Sequence, residues 1–502
     1  MTTTTPRRAG MMLLAAAAAS VSAMAIAQPQ QGTAQANGMQ DPNIIVEGEV
    51  VRATMLLRLH TLATGRTGVR PSTAQAYAAM LNAGICPLVH EHGSLGCSGD
   101  LAPLSHVAPA REVSMLFAAL VGGRQARITY VRYKPGMSCL VGYEMDGALL
   151  YAKAYRREAH DKFRKAEHRG HEVFRQHSII VARFPNDAEL EAIVRLGDPA
   201  RCRSMLTKLF KDRPDLWDCP VETLRYKPER RYVGRVGTKA VLKFYTEPDF
   251  APAMTRAQAF ESRGPLVIAR LIGKRERRRI LGWEWIDGQP LSSLRLAGAA
   301  LAELHAQPGA GLPVLSRKAE AATILEAGES CPAHTNRAKA LAQELAAELL
   351  KLPEATTAIH GDFYEQQLVQ VGNDRVAIVD LDRAVRGDPA ADLGNFIARR
   401  GGNADELLAG YGRAVPNVEL YTAVGFFRLA HEPFRRREPD WEARTAEWLE
   451  RAEIALTLDC GVMSRRLGRP VKSAKLVRHK PSRRWLIEYD GQWLGKVRVK
   501  GA

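Results

Sequence analysis

Residues 359–369 read IHGDFYEQQLV, and residues 376–389 read VAIVDLDRAVRGDP. The second segment begins with an apolar run typical of a buried strand, and Asp380 and Asp382 follow that run. In the first segment, Asp362 lies in a His-Gly-Asp sequence that is typical of a loop. From the residues alone, Asp362 is either a turn residue or a reacting carboxylate. Asp380 is either a paired buried acid or a metal ligand.

The sequence on either side of these segments predicts a mixture of helices and strands. Upstream, apolar runs around Leu266–Ile272 and Ile280–Ile286 are typical of strands, and the segment Pro252–Ser262 is predicted to be helical and carries Glu261. Amphipathic spacing predicts further helices over Leu296–Gln307 (LAGAALAELHAQ) and near 337–352.

A short pattern occurs three times and predicts a repeated β-hairpin. Each copy begins with a Lys-Pro pair, at Lys134, Lys227 and Lys480, and ends in an apolar strand with a second lysine. That second lysine is Lys153, Lys243 or Lys496, so the interval within a copy is 19, 16 or 16 residues. Repetition of this kind indicates one supersecondary unit that is used more than once. Of the three copies, only the middle one is followed by a complete downstream domain, which contains the segments described above.

The order of motifs from the middle copy onward resembles a known family. The hinge-like WEWIDGQPL (283–291), the LAELH helix, the HGD loop, the VDLD strand and GDPAADLG (387–394) follow one another as in the aminoglycoside/choline phosphotransferase branch of the protein-kinase-like fold. The resemblance covers about residues 220–455. It implies two lobes, an N-lobe over 220–290 and a C-lobe over 291–455.

The resemblance also implies the roles of individual residues in transfer of the γ-phosphate of ATP to a hydroxyl of a small molecule. Asp362 would be the catalytic carboxylate, and Asp380 with Gln367 would hold Mg²⁺. At the position of Gln367 the family usually has Asn, and Asp382 is the reserve ligand. For ATP, the resemblance implies that Lys243 contacts the phosphates and that Glu261 is its ion-pair partner. Glu284 and Ile286 would contact the adenine. Lys153 is the alternative to Lys243.

A second resemblance lies near the N-terminus. GSLGCSGDLAPLSH (93–106) is similar to the signature of the histidine and phenylalanine ammonia-lyases, in which an Ala-Ser-Gly tripeptide cyclises to a methylidene-imidazolone group. The corresponding residues here are Cys97, Ser98 and Gly99, with Cys in place of the usual Ala. The resemblance runs only from about residue 46 to 108, so the rest of the lyase active site has no counterpart. We therefore expect no methylidene-imidazolone and no lyase activity.

Composition limits the remaining possibilities. The 502 residues carry a formal net charge of +17, which favours anionic partners. Residues 1–27 resemble a secretory signal and 28–45 a linker, whereas seven cysteines without a CxxC pair favour a reducing compartment. We expect the kinase portion to be cytoplasmic, with export as the alternative. No later window predicts a membrane span, and the basic runs 274–279 and 435–437 lack the aromatic platforms of nucleic-acid sites.

Together these observations predict an α+β protein, a bilobal protein-kinase-like fold with an extra β-hairpin module and an N-terminal all-α lyase-like fragment. The predicted domains are the signal 1–27, the linker 28–45, the lyase-like fragment 46–110, the first hairpin 125–165, the N-lobe 220–290, the C-lobe 291–455 and the third hairpin 470–502. The predicted function is that of an ATP-dependent small-molecule kinase. Three alternatives stay open: a non-catalytic nucleotide-binding pseudokinase, a lyase-derived fusion, and a truncated or mis-started reading frame.

Overall fold

The structure is a computed structural model that describes residues 56, 59, 71–82, 127–134, 137–155, 160–175, 178–329, 331, 333–402, 404–436, 438 and 440–498. Two compact units follow one another, the first ending at Phe184 and the second beginning at Pro185. The predicted signal, the linker and the tripeptide Cys97-Ser98-Gly99 lie outside the described residues. Within the predicted lyase-like fragment, helix α1 (Pro71–Asn82) is described.

The first unit contains a five-stranded antiparallel sheet. Its strands are β1 (Arg127–Lys134), β2 (Ser138–Met145), β3 (Ala148–Tyr155), β4 (Glu172–Phe174) and β5 (Ile179–Arg183), in the order β1-β2-β3-β5-β4. Helix α2 (His160–His168) connects β3 to β4. The repeated pattern predicts two or three strands here, and the sheet has two more because the apolar strand β5 pairs with β3.

A second five-stranded sheet opens the second unit and has the same topology. Its strands are β6 (Val221–Lys227), β7 (Arg231–Val236), β8 (Ala240–Tyr245), β10 (Leu271–Arg275) and β11 (Ile280–Glu284), in the order β10-β11-β8-β7-β6. Before it lies helix α3 (Pro199–Leu209), and helix α4 (Glu247–Ala257) connects β8 towards β10. In both sheets the first three strands form a meander, a helix follows, and the last strand pairs with the third.

The helical part of the second unit follows this sheet. Its helices are α5 (Leu294–His305), α6 (Arg317–Glu329), α7 (Thr335–Leu350), α8 (Ala390–Arg399), α9 (Asp405–Tyr411), α10 (Val418–Leu429), α11 (Glu432–Arg436), α12 (Trp441–Leu458) and α13 (Cys460–Leu467). Their apolar faces share one core that includes Leu301, Leu345, Phe396 and Phe427. The predicted helices over Leu296–Gln307 and near 337–352 are confirmed as α5 and α7, each displaced by about two residues.

Two small sheets carry the motif segments into this core. Strand β12 (Thr357–Ile359) pairs with β15 (Val385–Gly387), and β13 (Leu368–Val371) with β14 (Arg375–Ile378), which also pairs with the short β9 (Leu266–Val267). The predicted strand Leu266–Ile272 is thus divided between β9 and β10. Both acidic segments follow largely buried strands, and the one before Asp380, β14, is the strand that its apolar run predicts.

The third copy of the repeat is a meander of β16 (Ala474–Lys480), β17 (Arg484–Tyr489) and β18 (Trp493–Arg498). One of its faces packs on the end of the helical part, where Trp485 and Ile487 contact a cluster with Ile454 and Met463. The indole Nε1 of Trp485 donates to Thr457 Oγ1 at 3.1 Å. The predicted threefold use of one hairpin unit is therefore confirmed.

Among the helices of the described residues, none combines the length and the apolar character that crossing a membrane requires.

Candidate functional site

The central feature of the second unit is a group of four charged side chains. Lys243 Nζ lies 2.8 Å from Asp380 Oδ1 and 3.0 Å from Asp382 Oδ2. Arg231 contacts both acids as well, with Nη1 3.2 Å from Asp380 Oδ1 and a closer contact to Asp382. The hydroxyl of Tyr245 donates to Asp382 Oδ1 at 3.0 Å. The structure thus brings Lys243, Asp380 and the reserve ligand Asp382 together. It adds Arg231 and Tyr245, which the sequence did not assign to this site.

Strand register explains why these side chains converge. Arg231 on β7 lies opposite Tyr245 on β8, and Lys243 precedes Tyr245 by two residues. Because side chains alternate between the faces of a strand, all three lie on the same face of the sheet. That face is the one that meets the loop after β14.

The loop after β14 presents its two acids through an uncommon backbone conformation. Asp380 has φ 62° and ψ 50°, the left-handed region, and a short 3₁₀ turn over Leu381–Arg383 follows. Aspartate tolerates this region better than most residues because its short polar side chain makes local hydrogen bonds. The tight turn allows Asp380 and Asp382, which are two residues apart, to contact the same cations.

The charges in this cluster perturb one another. Burial would raise the pKa of Asp380, but the Lys243 ammonium and the Arg231 guanidinium outweigh it and hold that pKa well below its usual range. Burial, helped by the neighbouring Asp382 carboxylate, raises the pKa of Tyr245 well above its ordinary value. Burial, together with Arg225, Arg231 and Arg230, lowers the pKa of Lys227 to about 8. Asp380 therefore stays ionised and Tyr245 stays protonated at neutral pH.

Asp362 lies in the loop after β12, whose shape depends on the ring of His360. The Asp362 amide donates to His360 Nδ1 at 3.1 Å, and His360 Nε2 donates to the carbonyl of Val379 at 2.9 Å. These two bonds fix a neutral imidazole with its proton on Nε2. They also tie the Asp362 loop to the residue that precedes Asp380, which brings the two predicted acidic segments together.

Two arginines flank the Asp362 carboxylate. Arg383 Nε and Arg399 Nη2 each lie 3.8 Å from one of its oxygens. The Asp362 side chain is 28% exposed, so a substrate can reach it. Neither arginine was predicted as a site residue. Arg383 belongs to the VDLDR sequence, but Arg399 is ten residues beyond Pro389 and carries no local sequence signal.

A buried carboxylate anchors the same loop from below. Asp392 accepts hydrogen bonds from the amides of His360 (2.7 Å) and Gly361 (2.8 Å), and from His305 Nε2 at 3.0 Å. Burial would raise the pKa of Asp392, but the hydrogen bond and charge of His305 lower it overall. Tyr411 completes the chain at His305 Nδ1, 2.9 Å away. Asp392 is the Asp of DLG within GDPAADLG and His305 the His of LAELH, so the motifs contained this signal.

The remaining predicted residues occupy three different surroundings. Gln367 is buried, and its carbonyl accepts from the Val379 amide at 2.9 Å, so its backbone lies next to Asp380. Glu284 ends β11, and its side chain lies 3.3 Å from Arg270 Nη2. Ile286 follows in the extended segment after β11, and its backbone N–H has no hydrogen-bond partner among the described residues.

Glu261 lies apart from the cluster. The predicted helix Pro252–Ser262 is instead α4, which ends at Ala257, so Glu261 follows the helix and has an exposed side chain. Its backbone N–H and carbonyl pair with the side-chain amide of Gln307. The described ion-pair partners of Lys243 Nζ are Asp380 and Asp382, and the structure does not bring Glu261 to Lys243.

The donor atoms at the cluster suit a hard cation, although they do not form a complete cage. In the part of the chain that the structure describes, no three His, Cys, Asp or Glu side chains are grouped to hold a metal ion. Two carboxylates, Asp380 and Asp382, and the neighbouring Gln367 amide are oxygen donors of the kind that Mg²⁺ binds through one or two carboxylates.

Two protein-family models match parts of this chain. Residues 224–427 match the family described as the phosphotransferase enzyme family, and residues 14–126 match the family described as aromatic amino acid lyase. The first match covers β7, β8 and both acidic segments. The middle of the chain is therefore similar to the phosphotransferase enzyme family, and the region before it is similar to aromatic amino acid lyases.

The curated relatives match the N-terminal region. The histidine ammonia-lyases of Streptomyces coelicolor and Streptomyces griseus are each 73% identical over 63 residues, which is 12% of this chain and 12% of each relative. The chain spans about an eighth of the length of the curated relatives that it matches.

Two solved structures illustrate the similarity of this chain to proteins of known structure. The GDP and kanamycin complex of APH(2")-IIia is 20% identical over 50% of this chain and 97% of its own, with a TM-score of 0.40. A choline/ethanolamine kinase family protein from Mesorhizobium loti is 20% identical over 52% of this chain and 95% of its own, with a TM-score of 0.40.

The perturbed lysine beside the cluster gives a test of the site's electrostatics. Because the pKa of Lys227 is about 8 in the folded chain and 10.5 ordinarily, its protonation opposes folding below about pH 8. This penalty fades as the pH rises to 10.5 and is absent above it. We expect Lys227→Met to raise the midpoint of thermal unfolding at pH 7, with the gain shrinking steadily between pH 8 and 10.5.

The control for this measurement is Lys208→Met, which removes an exposed lysine of α3. It should change the midpoint little at any pH. A Lys227→Met midpoint that is unchanged or lower at pH 7, or a gain that persists above pH 10.5, would contradict the assigned environment.

Proposed function

We propose that the phosphotransferase-family domain transfers the γ-phosphate of ATP to a hydroxyl group of a small molecule. The observation that carries this proposal is the convergence of Lys243 and Arg231 on Asp380 and Asp382, next to the loop that holds Asp362. Two cations suit the phosphates of a nucleotide, and a separate accessible carboxylate suits the hydroxyl that attacks. The family match supports the phosphotransferase class, and the geometry supports these individual roles.

In the proposed complex, the phosphates of ATP replace the carboxylates as partners of Lys243 and Arg231. Asp380 and Gln367 would hold Mg²⁺, with Asp382 as the reserve ligand, and the ion would neutralise charge on the phosphates. The low pKa of Asp380 supports this role, since only the ionised carboxylate binds a hard cation. The free backbone N–H of Ile286 and the backbone at Glu284 would contact the adenine ring.

Asp362 would accept the proton of the acceptor hydroxyl as its oxygen bonds to the γ-phosphorus and the bond to the β-phosphate oxygen breaks. The products are a phosphate monoester and ADP. Arg383 and Arg399 lie 3.8 Å from Asp362, where they would stabilise negative charge on the phosphoryl group in transfer. Transfer chemistry of this kind depends on positioning and charge, and the Asp392 network supplies rigidity to the Asp362 loop.

A non-catalytic nucleotide-binding protein is the second candidate. It is favoured by one specific observation, the Gln at position 367 where the resembling family usually has Asn. The longer side chain places its amide oxygen one methylene further from the backbone. Turnover, rather than binding, distinguishes the two candidates.

The test is titration of MgATP into the full chain, with Asp380→Ala, Asp362→Asn and the exposed Asp374→Ala of the β13–β14 turn as control. We expect Asp380→Ala to weaken MgATP binding at least about tenfold, since an ion ligand is lost. Its fold should persist because Asp382 still pairs with Lys243 and Arg231. Asp362→Asn should leave binding within about twofold but lower turnover at least about a hundredfold.

Turnover is measured as ADP release with a panel of aminoglycosides, choline, amino alcohols and sugars. Binding without turnover by any acceptor would favour the non-catalytic protein. A folded chain that does not bind MgATP, or an Asp374→Ala variant as impaired as Asp380→Ala, would overturn the proposal. Because it requires ATP, we place the phosphotransferase domain in the cytoplasm.

We also propose that the lyase-like region carries no methylidene-imidazolone group. The chain spans about an eighth of its lyase relatives, and an electrophile of this kind needs a surrounding active site to form and to act. Cyclisation of Cys97-Ser98-Gly99 would release two water molecules. Intact mass spectrometry of the full chain, compared with a Ser98→Ala variant, should show no such loss, and a mass lower by two waters in the unmutated chain alone would contradict this expectation.

A further inference from the structure

The third hairpin reproduces the second one pair by pair. In the second sheet, Lys227 lies opposite Arg231 and Val233 opposite Lys243. In the third, the corresponding pairs are Lys480 with Arg484 and Leu486 with Lys496, each 253 residues further along the chain. Both meanders also carry a bulge at the same place, before Arg225 and before Arg478.

The first turn of the second meander is fixed by a carboxylate from outside the sheet. Asp187 Oδ2 accepts from the Tyr226 hydroxyl at 2.7 Å and from the Glu229 amide at 2.8 Å. Glu229 has a φ of 53°, so this buried hydrogen bond stabilises a conformation that a residue with a side chain seldom adopts.

The corresponding turn of the third hairpin is fixed in the same way. Glu450 of α12 accepts from His479 Nε2 and from the Ser482 amide, both at 3.0 Å, and Ser482 has a φ of 57°. His479 and Ser482 occupy the positions of Tyr226 and Glu229. The backbone that carries Arg484 and Lys496 is therefore held like the backbone that carries Arg231 and Lys243.

The outer face of the third hairpin is strongly basic. Alternation along the strands and the observed register put Glu488 and two leucines on this face together with six basic residues. The six are Lys475, Arg478, Lys480, Arg484, Lys496 and Arg498. Among the described residues, none of these six side chains lies within ion-pair distance of an acid, whereas the opposite face is packed in the core.

The two equivalent faces differ in what neutralises them. In the second sheet, Arg231 and Lys243 contact two adjacent carboxylates, and Tyr245 donates to one of them. The third hairpin keeps the arginine and the lysine and has Arg498 in place of Tyr245. Among the described residues, no acid forms an ion pair with these side chains. Its arrangement of donors suits two or more adjacent anionic groups, with one positive charge more than the second sheet has.

We propose that the basic face of the third hairpin is a binding site for a chain of linked phosphates, centred on Arg484, Lys496 and Arg498. Adjacent phosphate groups place negative charges as close together as Asp380 and Asp382 do, and arginine binds phosphate in a forked geometry. Inorganic polyphosphate and the triphosphate of a nucleotide share this chemistry. The proposal is independent of the proposed phosphotransferase activity, because it involves neither Asp362 nor Asp380.

The test is isothermal titration of the full chain with inorganic tripolyphosphate and, in a second arm, with ATP, both without Mg²⁺. The test variant is Arg484→Gln/Lys496→Gln, and the matched control is Arg428→Gln/Lys318→Gln, which removes the same charge from exposed helix positions. We expect the test variant to lose at least about tenfold in tripolyphosphate affinity and the control to change less than about twofold.

A charge-preserving variant, Arg484→Lys/Lys496→Arg, separates charge from misfolding and should retain most of the binding. If the test variant loses affinity for ATP as well as for tripolyphosphate, the site binds the phosphates of nucleotides too. If it loses affinity for tripolyphosphate alone, the ligand is polyphosphate. Equal losses in test and control variants, or no loss in the test variant, would overturn the proposal. The proposal would also be overturned if these residues were needed to bind a single-stranded oligonucleotide but not to bind tripolyphosphate. Failure of the Asp380→Ala experiment leaves this result unaffected.

Discussion

The ion pairs of Lys243 and Arg231 with Asp380 and Asp382 are the interaction on which the site depends. They join the face of a β-sheet to the loop after β14. Two positive and two negative charges are partly removed from water together. Burying charges costs several kcal/mol per ion unless they are paired, so removal of either side leaves the other uncompensated. The arrangement therefore fixes the orientation of both acids and both cations before any ligand binds, and a ligand that carries phosphates competes with the acids for the cations.

A second constraint fixes the loop of Asp362. Asp392, buried below it, holds the His360 and Gly361 amides and the His305 ring, while the His360 ring bridges the Asp362 amide to the carbonyl of Val379. This network connects the helix α5, the HGD loop and the strand before Asp380. The three motifs that seemed separate in the sequence are thus parts of one hydrogen-bonded structure.

Much of this site follows from the sequence because its signals are local. The apolar run before Asp380 predicts a strand that ends at an acid, and the His-Gly-Asp sequence predicts a loop at Asp362. The repeated Lys-Pro pattern identifies Lys243 as the lysine of a strand. Arg231 and Tyr245 were missed since their position depends on the register between β7 and β8, which hydrophobic pattern alone does not specify. Glu261 was expected in a helix that in fact ends at Ala257. The extra strands of the first sheet escaped prediction because β4 has three residues.

The repeated meander also has features that the local sequence does not predict. The spacing of the lysines predicts three hairpins, but the equal topology of the two five-stranded sheets and the matching turn contacts of Asp187 and Glu450 depend on residues distant in sequence. Three related meanders in one chain then differ in what faces them. Carboxylates of the helical part face the second, whereas the basic face of the third has no acid against it among the described residues.

When no nucleotide is bound, Lys243 forms ion pairs with Asp380 and Asp382 and so competes with a metal ion for their carboxylates. The most direct measurement is Mn²⁺ binding to the nucleotide-free chain, followed by electron paramagnetic resonance, because carboxylate oxygens bind Mn²⁺ as they bind Mg²⁺. Replacing Lys243 by Met removes the competing charge and should strengthen Mn²⁺ binding several-fold, while Lys239→Met, at an exposed lysine paired with Asp215, should leave it unchanged. Mn²⁺ binding that is equal or weaker in Lys243→Met would contradict the account.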